Sequence, residues 1–252
     1  MSRVELKPPI AAEKMIGVLG LQGDVCEHLD HLERLGVAAR TVKQAEDLED
    51  LVGMILPGGE STCLARLLRI FNIDKVIIRK FHEGMKLWGT CAGAILLAKS
   101  ITGEAPHLGL IDIEITRNSF GSQLDSFASE ASIPELSPTP IPLTFIRAPK
   151  IIRVGAGVDV LLRIGDFIAA AESPGVLVTI FHPELTPSLA FHRYFARKCG
   201  LRPGGEEAAI HPSWDKTSWM RLARITPIEK RSAEPLAEVL PQEIDHETPE
   251  GI

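Results

Sequence analysis

The segment Lys86-Leu87-Trp88-Gly89-Thr90-Cys91-Ala92-Gly93-Ala94-Ile95-Leu96-Leu97-Ala98 constrains this chain more than any other. A short apolar run passes through Gly-Thr-Cys-Ala-Gly straight into an apolar, helix-forming stretch, which predicts strand, sharp turn and helix with Cys91 at the turn. Strand and helix can meet at so abrupt a corner only where side chains are small, and Gly89 and Gly93 bracket the cysteine. Such an elbow lifts one side chain clear of the sheet, and unpaired N–H groups at the start of the following helix favour an anionic sulfur. Cys91 is therefore a candidate nucleophile. The alternative, a small buried hydrophobe, is the usual fate of a free cysteine, and the glycine bracket argues against it.

The rest of the first half reads as alternating strands and helices. Met15 to Leu21 is nearly continuous apolar sequence, as in a strand covered on both faces, and Gln22-Gly23 turns the chain. Asp24 is expected to cap a helix whose apolar positions are Val25, Leu29, Leu32 and Leu35. His28 and His31 lie three apart beside Glu27, and with no third ligand in view they are expected on a solvated helix face rather than at a metal. Strands follow at Val37 to Val42 and Gly53 to Leu56, then Pro57-Gly58-Gly59-Glu60-Ser61-Thr62 and helices over Ser61 to Ile70 and Ile73 to Glu83. A strand that runs through two glycines into a helix start can present backbone N–H groups to an anion or oxyanion, although the same pattern also makes plain tight turns. The alternation predicts an α/β fold with a mostly parallel, doubly wound sheet and flanking helices, its site at the C-terminal ends of the strands.

From Leu108 onward the pattern changes to added short β pieces, Leu110 to Thr116, Thr144 to Arg147, Val158 to Ile164, Phe167 to Ala171 and Val176 to Phe181. Ile133 to Pro142, with four prolines, is expected to be loop. The strand before His182-Pro183-Glu184 ends in a polar trio, and Pro183 favours an extended His182, from which His182 and Glu184 would face one pocket. A carboxylate beside an imidazole fixes its tautomer and stabilises its charged form. Pro187 to Lys198 is expected to close the domain as a helix.

Three segments are expected: an N-terminal arm at 1–14, a domain at 15–200, and a tail at 201–252 in which acids outnumber Lys and Arg by ten to six and six prolines occur. That composition predicts a largely disordered tail with one possible docking helix near Trp219. Over all 252 residues the net charge is −6 with no basic block, which gives no footprint for nucleic acid or an anionic membrane. The longest apolar runs fall short of the ~20 residues of a membrane helix. Nothing in Met1 to Lys14 has the apolar core of a secretory signal, so a cytoplasmic location is expected. Cys26, Cys63, Cys91 and Cys199 are scattered without a C-x-x-C pair, so neither a disulfide scaffold nor a zinc site is indicated.

Taken together, the cysteine elbow, the Gly-Gly turn and the distant His-Pro-Glu resemble the class I (triad) glutamine amidotransferases. The closer resemblance is to the glutaminase subunits of pyridoxal 5′-phosphate synthase. It is carried by Gly17-Val18-Leu19-Gly20-Leu21-Gln22-Gly23, Leu56-Pro57-Gly58-Gly59-Glu60-Ser61-Thr62, Trp88-Gly89-Thr90-Cys91-Ala92-Gly93, Arg117-Asn118-Ser119-Phe120-Gly121-Ser122-Gln123, Phe145-Ile146-Arg147-Ala148-Pro149 and Phe181-His182-Pro183-Glu184-Leu185-Thr186. The resemblance spans about residues 15 to 197. It implies that Cys91 is the nucleophile, His182 the base and acid, and Glu184 its orienter. It also implies that backbone N–H groups of Gly59 and Ala92 form the oxyanion hole, and that L-glutamine lies against Gly59, Glu60, Ser61, Arg117, Ile146 and Arg147. Two arginines can hold an α-carboxylate and Glu60 can face an ammonium; without the motifs around them, surface ion pairs would be the simpler reading.

Glutamine hydrolysis by such a site needs no cofactor or metal. The resemblance further implies a (β/α)₈-barrel synthase partner in a large hetero-oligomer, which would consume the ammonia. Two other readings stand beside it: a cysteine hydrolase of the peptidase or deglycase type, and a non-catalytic regulatory or scaffold subunit. Asp24, Val25 and Cys26, and the stretch 168–175, depart from the family's usual residues, and neither departure is expected to touch the triad.

Overall fold

The computed structural model describes residues 14–117 and 126–204. The expectations for the N-terminal arm, apart from Lys14, for Asn118 to Gln123 and for the tail beyond residue 204 therefore lie outside the described residues.

The first half of the chain alternates as its apolar pattern requires. Strand β1 (Met15–Leu19) is followed by helix α1 (Val25–Arg34), β2 (Ala39–Val42), a 3₁₀ turn at Ala45–Leu48, and β3 (Leu51–Leu56). Helices α2 (Ser61–Ile70) and α3 (Ile73–His82) then lead to β4 (Lys86–Thr90) and α4 (Ala92–Leu97). β1 pairs in parallel with both β2 and β3, and β3 pairs in parallel with β4. The connection from β1 to β2 thus runs one way along the sheet and that from β3 to β4 the other. Right-handed crossovers place the connecting helices on opposite faces, with α1 against the last helix among the described residues and α2 against α3 and α4. This is the doubly wound arrangement.

The second half adds β5 (Ala98–Ile101), β6 (Ile111–Thr116), β7 (Phe127–Ala131), β8 (Ile141–Phe145), β9 (Lys150–Val154), β10 (Asp159–Ile164), β11 (Phe167–Glu172) and β12 (Val176–Thr179), and ends in α5 (Ala190–Lys198). The main sheet runs β2-β1-β3-β4-β12-β11-β9-β6-β5, with β10 beside β11. β12 inserts next to β4 in parallel, whereas β11, β9 and β6 continue the sheet by antiparallel pairs. β7 and β8 form a separate antiparallel pair.

Several sequence expectations are corrected. The helix after the elbow stops at Leu97, because the chain becomes the strand β5, paired in parallel with β6. Ile141 and Pro142 belong to β8 rather than to a loop; Pro142 sits opposite Glu130 in a two-stranded pair, where a missing N–H is tolerated. The last helix begins at Ala190, three residues later than expected, and β7 and β9 were not foreseen. His28 and His31 are fully buried instead of solvated. The reason is visible in the spacing: His28 lies three residues from Val25 and four from Leu32, on the face of α1 that packs inward.

The core is one cluster running through the sheet. Trp88 on β4 is fully buried, packs against Phe191 and Phe195 of α5, and satisfies its indole N–H on the Thr179 hydroxyl at 3.2 Å. Each such large apolar side chain contributes about 1.5–3 kcal/mol by leaving water. No helix among the described residues is long and apolar enough to cross a membrane.

Candidate active site

Cys91 stands where β4 gives way to α4, with φ +46° and ψ −104°. A non-glycine residue in that region is strained, and the surroundings hold it there. Its N–H donates to the Thr179 carbonyl at 2.8 Å, which ties the elbow to the end of β12. Gly93 permits the corner: a Cβ on it would lie 1.9 Å from the Leu56 carbonyl oxygen at the end of β3. The sulfur points toward the Ile146 carbonyl at 4.0 Å, and the residue is 8% exposed at the floor of a cleft.

β12 delivers the imidazole. Thr90 of β4 pairs with Thr179 of β12, so Cys91 and the segment leading to His182 leave the same end of adjacent strands. His182 then enters a 3₁₀ turn at Pro183–Leu185, with φ −107° and ψ 85°. This corrects the extended geometry expected from Pro183: a tight turn, opened by the proline at its first position, brings His182 Nδ1 to 2.8 Å from Glu184 Oε1. Glu184 is fully buried and His182 nearly so. Burial works against the imidazolium, but the Glu184 charge, the Cys91 sulfur and Asp24 together hold the His182 pKa well above its ordinary value.

Asp24 was expected to cap α1 and to stay clear of the triad, and both expectations are overturned. It makes no side-chain cap hydrogen bond; its Oδ2 instead lies 3.3 Å from His182 Nδ1. The hydrogen bond to His182 is the largest influence holding the Asp24 carboxyl below its usual range, against the opposing effect of burial. Asp24, His182 and Glu184 also form the group among the described residues whose donor atoms gather most like a metal site, within 4.8 Å. With Glu184 at 2.8 Å from it, the same ring nitrogen is equally placed to give that carboxylate an N–H.

The opposite wall comes from the loop between β3 and α2. Gly58 lies against the imidazole, where a Cβ would be 2.4 Å from His182 Cε1. Glu60 caps α2 by accepting the N–H groups of Thr62 at 3.0 Å and Cys63 at 2.7 Å, and its N–H donates to the Gln22 side-chain oxygen at 3.2 Å. Arg117 reaches across from the end of β6 to Glu60 at 3.1 Å, to the Thr62 hydroxyl at 3.1 Å and to both Glu104 oxygens at 3.1 and 3.2 Å. Although burial works against its ionisation, the N–H groups of Thr62 and Cys63 and the Arg117 charge hold the Glu60 carboxyl below its usual range. The small β7–β8 pair supplies the third wall: the His182 N–H donates to Thr144 on β8 at 2.8 Å, and just beyond β8 lie Ile146 and Arg147, the latter with φ +44°.

These walls enclose a cleft of about 390 Å³. Cys91, Ala92, His182, Gly59, Glu60, Ser61, Arg117, Ile146 and Arg147 all line it, so the residues singled out in the sequence meet in one place, with Glu184 directly behind His182. Gln22, Asp24, Glu104 and Thr62 were missed as partners of these groups. Gln22 and Asp24 stood in the signal already, on the loop after β1 at the C-terminal edge of the sheet; Glu104 left none.

A strained cysteine at a strand-to-helix elbow, an imidazole–carboxylate pair carried in by the neighbouring strand and a polar cleft over both are the parts from which α/β enzymes with a nucleophile elbow are built. The chain belongs to the SNO glutamine amidotransferase family, whose model matches residues 18–201. It is 62% identical over 210 residues, 82% of this chain and 94% of the relative, to a pyridoxal 5′-phosphate synthase subunit PdxT from Syntrophus aciditrophicus. It is 48% identical over 185 residues to one from Ruminiclostridium cellulolyticum, covering 73% of this chain and 98% of that one. A solved structure described as a glutamine amidotransferase superposes with a TM-score of 0.70 at 44% identity, over 74% of this chain and all of its own. The PurLQS structure from Thermotoga maritima shares the fold at 19% identity and TM-score 0.53, over 73% of this chain and 98% of that one.

Proposed function

We propose that this chain is the glutaminase subunit of a pyridoxal 5′-phosphate synthase and that Cys91, His182 and Glu184 carry the hydrolysis. The observation that bears most weight is the His182 ring, held by Glu184 at 2.8 Å and lining, together with Cys91, a cleft that also presents Glu60, Arg117 and Arg147. L-Glutamine lies with its α-carboxylate toward the two arginines and its ammonium toward Glu60. Glu60 and Arg117 are paired with each other at 3.1 Å, so the substrate's two charges replace part of a contact that already exists.

The Cys91 sulfur attacks the side-chain amide carbon, and the negative charge that develops on oxygen is held by the N–H groups of Gly59 and Ala92. His182 gives its proton to the departing ammonia as the carbon–nitrogen bond breaks, which leaves a γ-glutamyl thioester. The neutral ring then takes a proton from water, the hydroxide opens the thioester, and glutamate leaves with the thiol restored. Free ammonia is protonated near neutral pH and nucleophilic only in its minor form, so it is best made beside the enzyme that consumes it. That consumer is a (β/α)₈-barrel synthase subunit in a large hetero-oligomer. Docking completes the oxyanion hole by turning the Gly58–Gly59 peptide, and Gln22, bonded to the Glu60 N–H, lies on the loop that conveys the contact.

Glutamate release tests this, measured on the full chain alone and with excess synthase subunit. Release is expected to be slow alone and to rise by about 10²–10³ with the partner, the worth of one oxyanion donor. No release in the complex would refute the glutaminase reading, and full release without the partner would refute the gating.

A further inference from the structure

Behind the imidazole–carboxylate pair lies a second layer that the hydrolysis just described does not use. Glu184 is fully buried, and only its Oε1 is hydrogen-bonded; Oε2 has no hydrogen-bond partner among the described residues. His28 Nε2, on α1, lies 3.6 Å from it. His28 is itself fully buried, 2.8 Å by its Nδ1 from His192 Nε2 of α5, and 3.5 Å by its Nε2 from the Thr90 hydroxyl. The Trp88 ring stands edge-on to it with centroids 5.6 Å apart. His31 fastens the same helix to the turn, with Nε2 3.0 Å from the Thr186 carbonyl.

One arrangement of protons suits this cluster best. A carboxylate oxygen accepts and never donates, so a hydrogen on the His28 nitrogen that faces Glu184 at 3.6 Å is favoured over a lone pair there. Its Nδ1 is then a lone pair, and His192 Nε2 must be the donor to it. The hydrogen count closes on His192 Nδ1, a bare lone pair without a partner among the described residues. The reverse arrangement would set a lone pair against the buried carboxylate and orphan an N–H, which is the costlier error.

We infer that His28 is a positioning residue: its Nε2–H, fixed in tautomer by His192, orients Glu184 so that the carboxylate stays aligned with His182. This rests on the reading of Cys91, His182 and Glu184 as the reacting trio. His28 acts here as a neutral dipole rather than a counter-ion. Burial is the largest influence on its pKa and brings it to about 4 despite the Glu184 and Asp24 charges, with His31 and His182 adding to the depression. A full positive charge would otherwise compete with His182 for Glu184.

The test uses the full chain with excess synthase subunit. H28M fills the space without a donor, while H28Q keeps an N–H for Glu184 and a carbonyl for His192. H28M is expected to lower kcat about 3- to 10-fold, as for the loss of one modest polar contact, with KM for glutamine unchanged. Its alkaline limb of kcat/KM should move to lower pH, because a loosened Glu184 supports the imidazolium less. H28Q should restore most of kcat and the limb. The inference is overturned if H28M retains kcat and an unmoved limb, or if H28Q folds with the wild-type melting temperature yet is as slow as H28M. Should H28M fail to fold, H28Q alone decides: folded and active it supports the inference, folded and slow it overturns it. C91A in parallel separates the two levels, since activity surviving in C91A would refute the trio itself.

Discussion

Asp24 reaches the same ring nitrogen of His182 that Glu184 does, at 3.3 Å against 2.8 Å, so one N–H lies between two carboxylates from opposite ends of the domain's first and last thirds. Glu184 is sealed in the core whereas Asp24 sits at the cleft, about a third exposed. Two negative neighbours favour the imidazolium more than one. Asp24→Asn should therefore shift the alkaline limb of kcat/KM to lower pH while leaving the melting temperature nearly unchanged. An unmoved limb across a full pH profile would mean that solvent screens Asp24 from the ring.

The nucleophile gives the plainest expectation. Cys91→Ala should reduce glutamate release by orders of magnitude without loss of fold, since the sulfur borders an open cleft and its removal leaves little cavity. Cys26→Ala and Cys63→Ala, at exposed sites, should stay active. Burial pushes the Cys199 thiol up to about 12, so iodoacetamide should leave it unmodified in the native protein. Mass mapping of the alkylated chain checks both points.

Positioning and binding should separate kinetically. Glu184→Gln keeps the size of the group and removes the charge behind the imidazolium, so kcat should fall with KM little changed. Arg147→Ala should instead raise KM for glutamine about tenfold or more, the cost of one charge-assisted contact. Similar changes in both parameters for both variants would contradict the division of the cleft drawn above.

Stability should pass through a maximum near neutral pH. His28 has its pKa lowered from 6.5 to about 4, so as pH falls through that window the unfolded chain takes up a proton that the native one refuses. The loss from this group alone approaches about 3 kcal/mol at full acid titration. His192 is lowered as well, and its burial acts in the same direction. His182 works oppositely: its raised pKa contributes stability that is complete below 6.5 and lost as pH rises through the native value. Thermal melts from pH 4 to 9 should show both flanks, and H28Q should flatten the acid one.

How much of this could be seen in the sequence depended on whether the signal was local. The elbow, with Cys91 at its turn, and the α2 boundaries follow from residues adjacent in the chain, and they were legible. The pocket residues were named through motif resemblance, and the structure brings them together. What failed was longer in range. His28 and His31 look polar, and only their spacing relative to Val25 and Leu32 reveals the buried face. Asp24 has the chemistry of a cap, yet a histidine over 150 positions away takes its carboxylate instead. β5, β7 and β9 are short, and their pairing partners decide them more than their own propensities do.

Thr90 and Thr179 are paired neighbours on β4 and β12; Cys91 follows the first directly, and His182 follows the second after Ile180 and Phe181. The approach of Cys91 to the segment that carries His182 is thus anchored by backbone pairing of β4 with β12 rather than by the length of chain between the two strands. Exposed hairpins within that intervening chain can change in length without disturbing this pairing, whereas Thr144 and Ile146, which touch His182 and Cys91, cannot shift so freely.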